Sequence, residues 1–461
     1  MRPKNNEPVY RLIHSQEMVA YMWRYTLHTQ ATQIPCAVVF DEALDMELLA
    51  RAVNIEIQRN DCMRLRLFRQ GGKIREFFLE EYRLDDIPVK EFASREEQDA
   101  FFNADAEKKL EVFKGETFRV VLFRTAEGGS GIFLCVSHMI MDAMATFFFF
   151  KDLMEVYDAL RAGSDLPRPP AKYEDIIKNE QDNPALEEHL AKETGILAEW
   201  MARDRKPKMC FIYGPRTLDA QRKFLHKKDF DLPFIGVPFN DKTHFVKLHL
   251  SDEESDRVTA FVEANGLSAE WVIQLGLRLY LSKINRRVND TVFWVLCPRR
   301  RTVKEKRCGG TLASPMPWRE KLPEDMTFRD ALTQLSQTQA FLFRHSDVPF
   351  TEMRRLEMET YRISLMQSPI SMMFSYLPLK ADTFGDREYS YIGYNFGHYV
   401  MPLYTITMHD PKTGHYVFSY IHRLWLSTDD DVRAFHAGAV RAILKGIEAP
   451  EKTLGEIMEE I

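Results

Sequence analysis

Apolar and polar residues form two different patterns along the first part of the chain. Residues 33–40 form a short apolar run, and after Asp45 the apolar positions recur every three or four residues. The first pattern is typical of a buried strand and the second of a helix whose first turn Asp45 caps. Residues 63–68 and 74–80 lie on either side of a Gly-Gly pair, which predicts a β-hairpin.

Two further apolar segments, residues 117–125 and 131–137, flank a glycine-rich turn and predict a second antiparallel pair. The helix that follows them ends at Ala162, because Gly163 can take the left-handed conformation that stops a helix. Residues 163–175 then read GSDLPRPPAKYED. Their prolines interrupt regular structure, so this stretch is the candidate boundary between two halves of the chain.

The second half repeats the same pattern of strands and helices. Ser251 and Glu254 have the spacing of a capping box, and an Asn-Gly pair at 265–266 ends that helix. Residues 268–285 predict a more apolar, buried helix, followed by a strand at 291–297. The remaining predicted segments are strands at residues 368–377, 402–410 and 415–423 and a terminal helix at 429–447.

The chain length supports two domains, because 461 residues exceed an ordinary single domain. We expect an N-terminal lobe at residues 1–170, a linker at 171–203 and a C-terminal lobe at 204–461. The mixture of strands and helices places the protein in the α/β class. Neither a dinucleotide-binding glycine fingerprint nor a P-loop occurs in the sequence.

Composition narrows the kind of partner. The formal net charge is −6 and charged residues make up 28%, which offers no extended basic surface for a nucleic acid. The six cysteines contain no C-x-x-C pair, so neither a zinc-ligand spacing nor a disulfide framework is indicated. The N-terminal residues lack the apolar core of a signal peptide and no stretch has the length of a membrane span. We therefore expect a cytoplasmic protein with no membrane and no nucleic-acid partner, and with no bound metal.

The segment GIFLCVSHMIMDAMATFFFF, residues 131–150, carries the candidate chemistry. By itself, its H-x-x-x-D pattern fits two interpretations. Asp142 could simply cap the helix that follows, with His138 as a turn residue. Alternatively, His138 follows an apolar strand and precedes the apolar Met139–Met141, so its imidazole would be neutral and able to accept a proton.

Over nearly its whole length the chain resembles the condensation-domain superfamily of nonribosomal peptide synthesis, which includes chloramphenicol acetyltransferase-like acyltransferases. The family motif H-H-x-x-x-D-G is similar to SHMIMDA at residues 137–143. Further similar segments are RNDCMRLRLF, FFFFKDLMEVYDALRAGSDLPRPPAKYEDI, VLCPRRRTVKEKRCGGTLASPMPWRE, HSDVPFTEM and VFSYIHRLWLSTDDDVRAFHAGAVRAILKGI.

The resemblance implies a fold of two chloramphenicol acetyltransferase-like lobes, each a mixed sheet packed with helices, arranged as a V with a central tunnel. It also implies that His138 is the catalytic residue and that Asp142 pairs with an arginine of the second half. Arg299, Arg300 and Arg301 are the candidates, and the spacing to Gly310 favours Arg300. The pair would hold the loop and take no part in the chemistry.

Three positions depart from the family pattern. Ser137 replaces the first histidine, Ala143 replaces the final glycine, and Ser314 stands where the family often has asparagine. We expect all three to lie at the motif or along the tunnel. A methyl group at residue 143 would narrow the approach of a substrate.

The function implied by the resemblance is a free-standing condensation-type acyltransferase of secondary metabolism. An amine or hydroxyl acceptor would attack a thioester, and an amide or ester would form. The donor would be carried on the phosphopantetheine of an acyl or peptidyl carrier protein in trans, or on coenzyme A, and no cofactor would stay bound. Arg299–Arg301, Lys304, Lys306 and Arg307 could meet either donor or form a solvated loop. The alternative is a non-catalytic docking or recruitment protein, in which the Phe147–Phe150 run could plug the tunnel.

Overall fold

The computed structural model describes residues 2–4, 7–202, 207–226, 240–364 and 367–461. Its strands are β1 Tyr10–Arg11, β2 Gln33–Phe40, β3 Leu65–Gln70, β4 Lys73–Phe78, β5 Val89–Glu91, β6 Phe118–Arg124, β7 Ser130–Ser137, β8 Thr243–His249, β9 Asp290–Cys297, β10 Ser314–Lys321, β11 Ile370–Leu377, β12 Tyr389–Gly393, β13 Leu403–His409 and β14 Tyr416–Arg423.

The helices within the same residues are α1 His14–Tyr25, α2 Met46–Arg59, α3 Arg95–Ala106, α4 Ala143–Ala162, α5 Tyr173–Asp182, α6 Ala185–Ala202, α7 Arg216–Leu225, α8 Asp252–Asn265, α9 Ala269–Ile284, α10 Val303–Lys306, α11 Phe328–Arg344, α12 Phe350–Tyr361, α13 Asp429–Glu448 and α14 Leu454–Glu460.

Two large mixed sheets form the cores of the two lobes. The N-terminal sheet has the order β12-β2-β7-β6-β5, and the C-terminal sheet has the order β10-β9-β11-β13-β14-β8. In the first, β5 pairs in parallel with β6, and in the second, β11 pairs in parallel with both β9 and β13. The other ladders of these sheets are antiparallel. The predicted α/β fold with a mixed sheet in each lobe is therefore confirmed.

Local sequence signals account for most of these elements. Asp45 accepts hydrogen bonds from the backbone amides of Glu47 and Leu48 and begins α2, while Gly163, at φ 64°, ends α4. β3 and β4 form the predicted hairpin, and β6 and β7 form the predicted antiparallel pair. In the second half, the capping box predicted at residues 251–254 is present at the start of α8.

One strand crosses from the second half into the N-terminal sheet. β12 pairs antiparallel with β2, with Tyr389 opposite Phe40 and Gly393 opposite Cys36. Just before this strand, the Arg387 guanidinium donates to both carboxylate oxygens of Asp158 on α4, at 2.7 and 2.6 Å. β12 therefore lies in the predicted C-terminal lobe by sequence but in the N-terminal sheet by pairing. No local pattern predicted this, because the ladder is made of backbone hydrogen bonds.

Within the C-terminal lobe, α9 and α13 pack closely because small residues lie at their contact. A Cβ atom added at Gly276 would lie 2.3 Å from Ile443 Cγ1 and 3.0 Å from the carbonyl oxygen of Ala439. The space available at this contact thus requires glycine.

We expect Gly276→Ala to lower the free energy of unfolding by about 1–3 kcal/mol, since the overpacking outweighs the higher helix propensity of alanine. Urea titration followed by tryptophan fluorescence would measure the change. Gly195→Ala on α6 is the matched control, because a Cβ there meets no atom within 4 Å and should add up to about 1 kcal/mol of stability. Equal effects of the two substitutions would contradict this account of the α9–α13 contact.

Candidate active site

His138 lies immediately after β7, and its main chain is held from both lobes. Its backbone amide donates to the carbonyl oxygen of Thr32 at 2.8 Å, and its carbonyl oxygen accepts from Thr311 Oγ1 at 2.5 Å. β7 itself is buried along its whole length. The position of His138 is therefore fixed by Thr32, just before the neighbouring strand β2, and by a hydroxyl of the C-terminal lobe.

The His138 ring is partly buried and lines a cavity, while the side chains of Met139, Ile140 and Met141 are fully buried behind it. Burial lowers the pKa of His138 below its ordinary value, although the neighbouring Asp142 carboxylate acts in the opposite direction. The imidazole is thus neutral at pH 7. Its Nδ1 is buried and has no hydrogen-bond partner among the described residues.

Asp142 serves both as helix cap and as a connection between the lobes. Its Oδ1 accepts from the backbone amide of Ala145 at 2.8 Å and so begins α4. Its Oδ2 accepts from the backbone amides of Leu312 and Ala313 at 2.8 and 3.0 Å. Burial by itself would raise the pKa of Asp142, but the Arg300 guanidinium and these amides hold it below its usual value.

Arg300 is the arginine that contacts Asp142. Its Nη2 lies 3.0 and 3.1 Å from the two carboxylate oxygens, and both side chains are almost fully buried. The guanidinium also donates to the carbonyl oxygens of Glu305, Cys308 and Gly310. The pair therefore ties the start of α4 to the loop between α10 and β10.

Gly310 allows the loop between α10 and β10 to come close to the start of α4. Its φ is 84°, in the region that favours glycine, and an added Cβ would lie 2.2 Å from the Tyr173 ring. Met141 forms a parallel β-bridge with Gly310 just before Asp142. The glycine therefore lets the two lobes meet directly beside the motif.

The other two candidate arginines bind a different carboxylate. Arg299 and Arg301 both pair with Asp347, at 3.2 Å for the first and 2.5 Å for the second. Burial opposes ionisation of this aspartate, but the Arg299 and Arg301 guanidinium groups and His189 lower its pKa to about 2. Arg299 also donates to Ser15 Oγ at 3.0 Å. These two arginines stabilise the loop after β9, whereas Arg300 pairs with Asp142.

The three positions that depart from the family pattern lie in different surroundings. Ser137 is buried, and its Oγ accepts from the backbone amide of Met139 at 3.3 Å. Ala143 lines the cavity. Ser314 is buried at the start of β10, opposite Cys297, and is not among the described residues that line the cavity. Of the three, Ala143 is the one that can affect the shape of the cavity directly.

The cavity beside His138 has a volume of about 750 Å³ and is lined by residues of both lobes. Its wall is mostly apolar and aromatic, with Trp294, Phe343 and Tyr376 among its members. The described residues that line it include none from 147–150, although Phe147 stacks on Tyr391, which does line it. The phenylalanine run therefore belongs to the helix packing and does not plug this space.

Most basic residues of the run after β9 contact a partner that holds the loop in place. Lys304 pairs with Asp175 at 2.9 Å, and Arg307 donates to the carbonyl oxygens of Arg168 and Pro169. Arg299 and Arg301 share the single charge of Asp347, and the carbonyl partners of Arg307 carry no charge, so these contacts offset only part of the positive charge of the loop. Most residues of this loop therefore have a structural role.

Two clusters of possible metal ligands occur among the described residues. One consists of His28, Asp241 and His398, and the other of His244, His422 and Asp429. Neither contains a residue that lines the cavity beside His138. No helix in the described ranges combines the length and apolar character needed to cross a membrane.

Sequence reasoning missed two parts of the site. Thr311 is 173 positions from His138 in the chain, and a single threonine hydroxyl carries no local signal. Glu270 and Gln339 place polar groups on the cavity wall, yet each is an ordinary residue of an amphipathic helix in the sequence. Only the packing of α9 against α11 brings them together.

Known proteins resemble this chain in sequence. The sequence model of the Condensation domain family matches residues 6–194. Surfactin synthase subunit 1 of Bacillus subtilis (strain 168) is 23% identical over 350 residues, covering 74% of this chain and 9% of that protein. A plipastatin synthase of the same organism is 18% identical over 467 residues, covering 98% of this chain and 17% of that protein. The chain thus spans less than a fifth of the length of these relatives.

Solved structures show the same fold over nearly the whole chain. The first condensation domain of the calcium-dependent antibiotic synthetase, in complex with a substrate analogue, has a TM-score of 0.78 at 16% identity, covering 97% of this chain and 99% of that one. A variant starter condensation domain of rhizomide synthetase, in complex with C8-CoA and Leu-SNAC, has a TM-score of 0.77 at 13% identity, covering 97% and 96%. The X-domain in complex with OxyB from teicoplanin biosynthesis has a TM-score of 0.71 at 17% identity, covering 99% and 97%.

The family match and the fold match together confirm the resemblance to the condensation-domain superfamily. The chain has the fold of two chloramphenicol acetyltransferase-like lobes, and residues 6–194 carry the sequence features of a Condensation domain.

We expect Asp142→Asn to destabilise the protein by about 3–5 kcal/mol, because it leaves the buried Arg300 guanidinium without its counter-charge. Urea unfolding would measure this loss. The double variant Asp142→Asn/Arg300→Met should recover a large part of it, since no unpaired charge is then buried. Additive losses in the double variant would show that the two side chains do not act as a pair.

Proposed function

We propose that the protein is a condensation-type acyltransferase, in which an amine or hydroxyl acceptor attacks an acyl thioester and forms an amide or ester. The observation that carries this proposal is the neutral, partly exposed His138 ring on the wall of a large cavity between the lobes. Such a ring can accept a proton or orient a nucleophile. The condensation-domain fold makes acyl transfer the reaction class to test first.

In the proposed reaction, the nitrogen or oxygen of the acceptor bonds to the carbonyl carbon of the thioester. His138 Nε2 accepts the proton that this nitrogen or oxygen loses. The tetrahedral intermediate then breaks its carbon–sulfur bond, and the leaving thiolate takes up the proton. One amide or ester and one thiol are formed from one acceptor and one thioester. The buried Nδ1 leaves Nε2 as the ring nitrogen available to the cavity.

The remaining residues around His138 act by positioning. Thr311 and Thr32 fix the main chain of His138, and the Asp142–Arg300 pair holds the loop that follows. Holding both substrates in one apolar space contributes further, because a well-oriented encounter replaces a bimolecular one. No protein nucleophile is needed in this scheme.

Two donors are compatible with the proposal, an acyl or peptidyl carrier protein and acyl-coenzyme A. The rhizomide starter domain was solved with C8-CoA and Leu-SNAC, a coenzyme A thioester and a small thioester mimic. The two relatives described above are parts of synthases, for which a carrier-bound donor is the natural expectation. We therefore propose that the assay includes both donor types.

A docking or recruitment role is the second candidate function. The X-domain, which shares this fold, was solved in complex with another protein, OxyB. The open cavity with His138 on its wall favours the acyltransferase, because a docking protein has no need to keep such a space free of side chains.

We expect His138→Ala to lower kcat/KM by about 10²–10⁴-fold with nearly unchanged thermal unfolding, since the partly exposed ring contributes little to stability. Product formation would be followed by mass spectrometry with an acyl-carrier protein or acyl-coenzyme A and a panel of amines and alcohols. His249→Ala, which removes an exposed ring on β8, should leave the rate unchanged. If the wild type forms no product with any pair, the docking role becomes the better account.

The pH dependence of kcat/KM should reflect the protonation of His138. The acceptor in this measurement is an alcohol without a basic group, so that the acceptor itself does not titrate. Since burial lowers the pKa of His138 below 6.5, the base is already neutral at pH 7, and the rate with this acceptor should be flat there. As the pH falls through the lowered pKa, the ring becomes protonated and kcat/KM should decrease about tenfold per pH unit. A profile from pH 5 to 8 would show this, with fluorescence spectra to verify folding at each pH. A decrease centred at or above pH 7 would contradict His138 as the base.

A further inference from the structure

The part of the cavity wall that the structure describes contains one acidic group without a positive partner. The charged members of this wall are Arg24, Asp142, Glu270 and Arg354. Asp142 pairs with Arg300, and Arg354 pairs with Glu357. Among the described residues, Glu270 forms no ion pair.

Glu270 is nevertheless held in a built site. Its Oε2 accepts from Gln339 Nε2 on α11 at 2.7 Å, and its Oε1 accepts from Gln274 Nε2 at 3.3 Å. It lies in the first turn of α9, where the backbone amides also favour a negative charge. The carboxylate is thus fixed in place by neutral amide donors.

Both amides are themselves oriented by a second donor. Trp271 Nε1 donates to Gln339 Oε1 at 2.7 Å, and Arg278 Nη2 donates to Gln274 Oε1 at 3.3 Å. Each amide oxygen is therefore occupied, so each NH₂ group must point towards Glu270. This network specifies a hydrogen-bond acceptor at residue 270.

The Glu270 carboxylate can accept further hydrogen bonds. An ionised carboxylate offers about four acceptor positions, and the two amides use two of them. The wall of the cavity is mostly apolar, with Trp294, Leu296 and Phe343 among its members. In such a pocket a few fixed polar groups set the orientation and identity of the ligand.

We propose that Glu270, oriented by Gln274 and Gln339, binds an ammonium group of the substrate that occupies the cavity. A cation supplies the missing counter-charge and the donors for the remaining acceptor positions. The inference rests on the proposed function, because it names a chemical group of that substrate. The amine that attacks a thioester must be neutral, so the ammonium at Glu270 is a second basic group, which stays charged throughout the reaction.

The protonation of Glu270 gives the site a pH dependence. Burial raises the pKa of Glu270 to about 7, although the two amide donors oppose the shift. The titratable groups that face it are Cys297 on β9 and Tyr376 on β11, and burial keeps both neutral by raising their pKa values. Arg278, beyond Gln274, has a pKa of about 10 and stays charged. Between pH 6 and 8, Glu270 is thus the group of this set that changes charge.

Calorimetric titration with hexylammonium and 1-hexanol tests the proposal, since the two probes differ mainly in charge. We expect the wild type to bind hexylammonium at least about tenfold more tightly than 1-hexanol at pH 8. Glu270→Gln should abolish this preference. Glu253→Gln is the matched control, because it removes the same charge from the first turn of α8, where Glu253 is exposed.

Two further measurements keep the test decisive if Glu270→Gln unfolds. Gln339→Leu retains the carboxylate but removes one orienting donor, and it should reduce the preference without abolishing it. A His138→Ala background removes the imidazole that also titrates in the cavity. In this background, the affinity for hexylammonium should fall about tenfold from pH 8 to pH 6 as the Glu270 carboxylate becomes protonated.

Equal affinity of the wild type for both probes, or a preference that survives in folded Glu270→Gln, would overturn the proposal. Absence of hexylammonium binding would overturn it as well. None of these measurements requires acyl transfer. A failed ammonium site and a failed acyltransferase assignment are therefore distinguishable.

Discussion

The buried ion pair of Asp142 and Arg300 is the constraint on which the site depends. Asp142 caps α4, receives two backbone amides from the second lobe and neutralises a guanidinium that binds three carbonyl oxygens. A buried charge of this kind is costly unless each of its partners is present. The loop of His138 and the loop before β10 must consequently form together. The lobes meet at the motif because the charge of Asp142 is satisfied only there.

The cavity follows from this meeting of the lobes. The N-terminal lobe supplies His138 at the end of a buried strand, and the C-terminal lobe supplies the helices and strands that form the opposite wall. β12 closes the arrangement by adding a strand from the second half to the first sheet. Residues of both lobes therefore line one common space. The proposed acyl transfer would bring its two substrates together in this shared space.

In the two proposals, the polar groups of the cavity have different roles, proton transfer for His138 and substrate recognition for Glu270. His138 is neutral because apolar neighbours bury it, whereas Glu270 keeps a carboxylate that neutral amides hold in place. The two groups belong to different lobes, so a ligand that reaches both has to span the interface. Binding of such a ligand would favour the same arrangement of the lobes that the Asp142–Arg300 pair stabilises.

Local structure and the motif could be predicted without any coordinates. Asp45, Gly163 and the capping box of α8 act through neighbours a few residues away, so the sequence near them is enough to place their elements. The family resemblance also singled out His138, Asp142 and Arg300. The folded chain was needed to reveal the pairing of Arg299 and Arg301 with Asp347, the crossing of β12, and the contacts of Thr311 and Glu270. These depend on which distant surfaces come within hydrogen-bond reach, and no local periodicity encodes that distance.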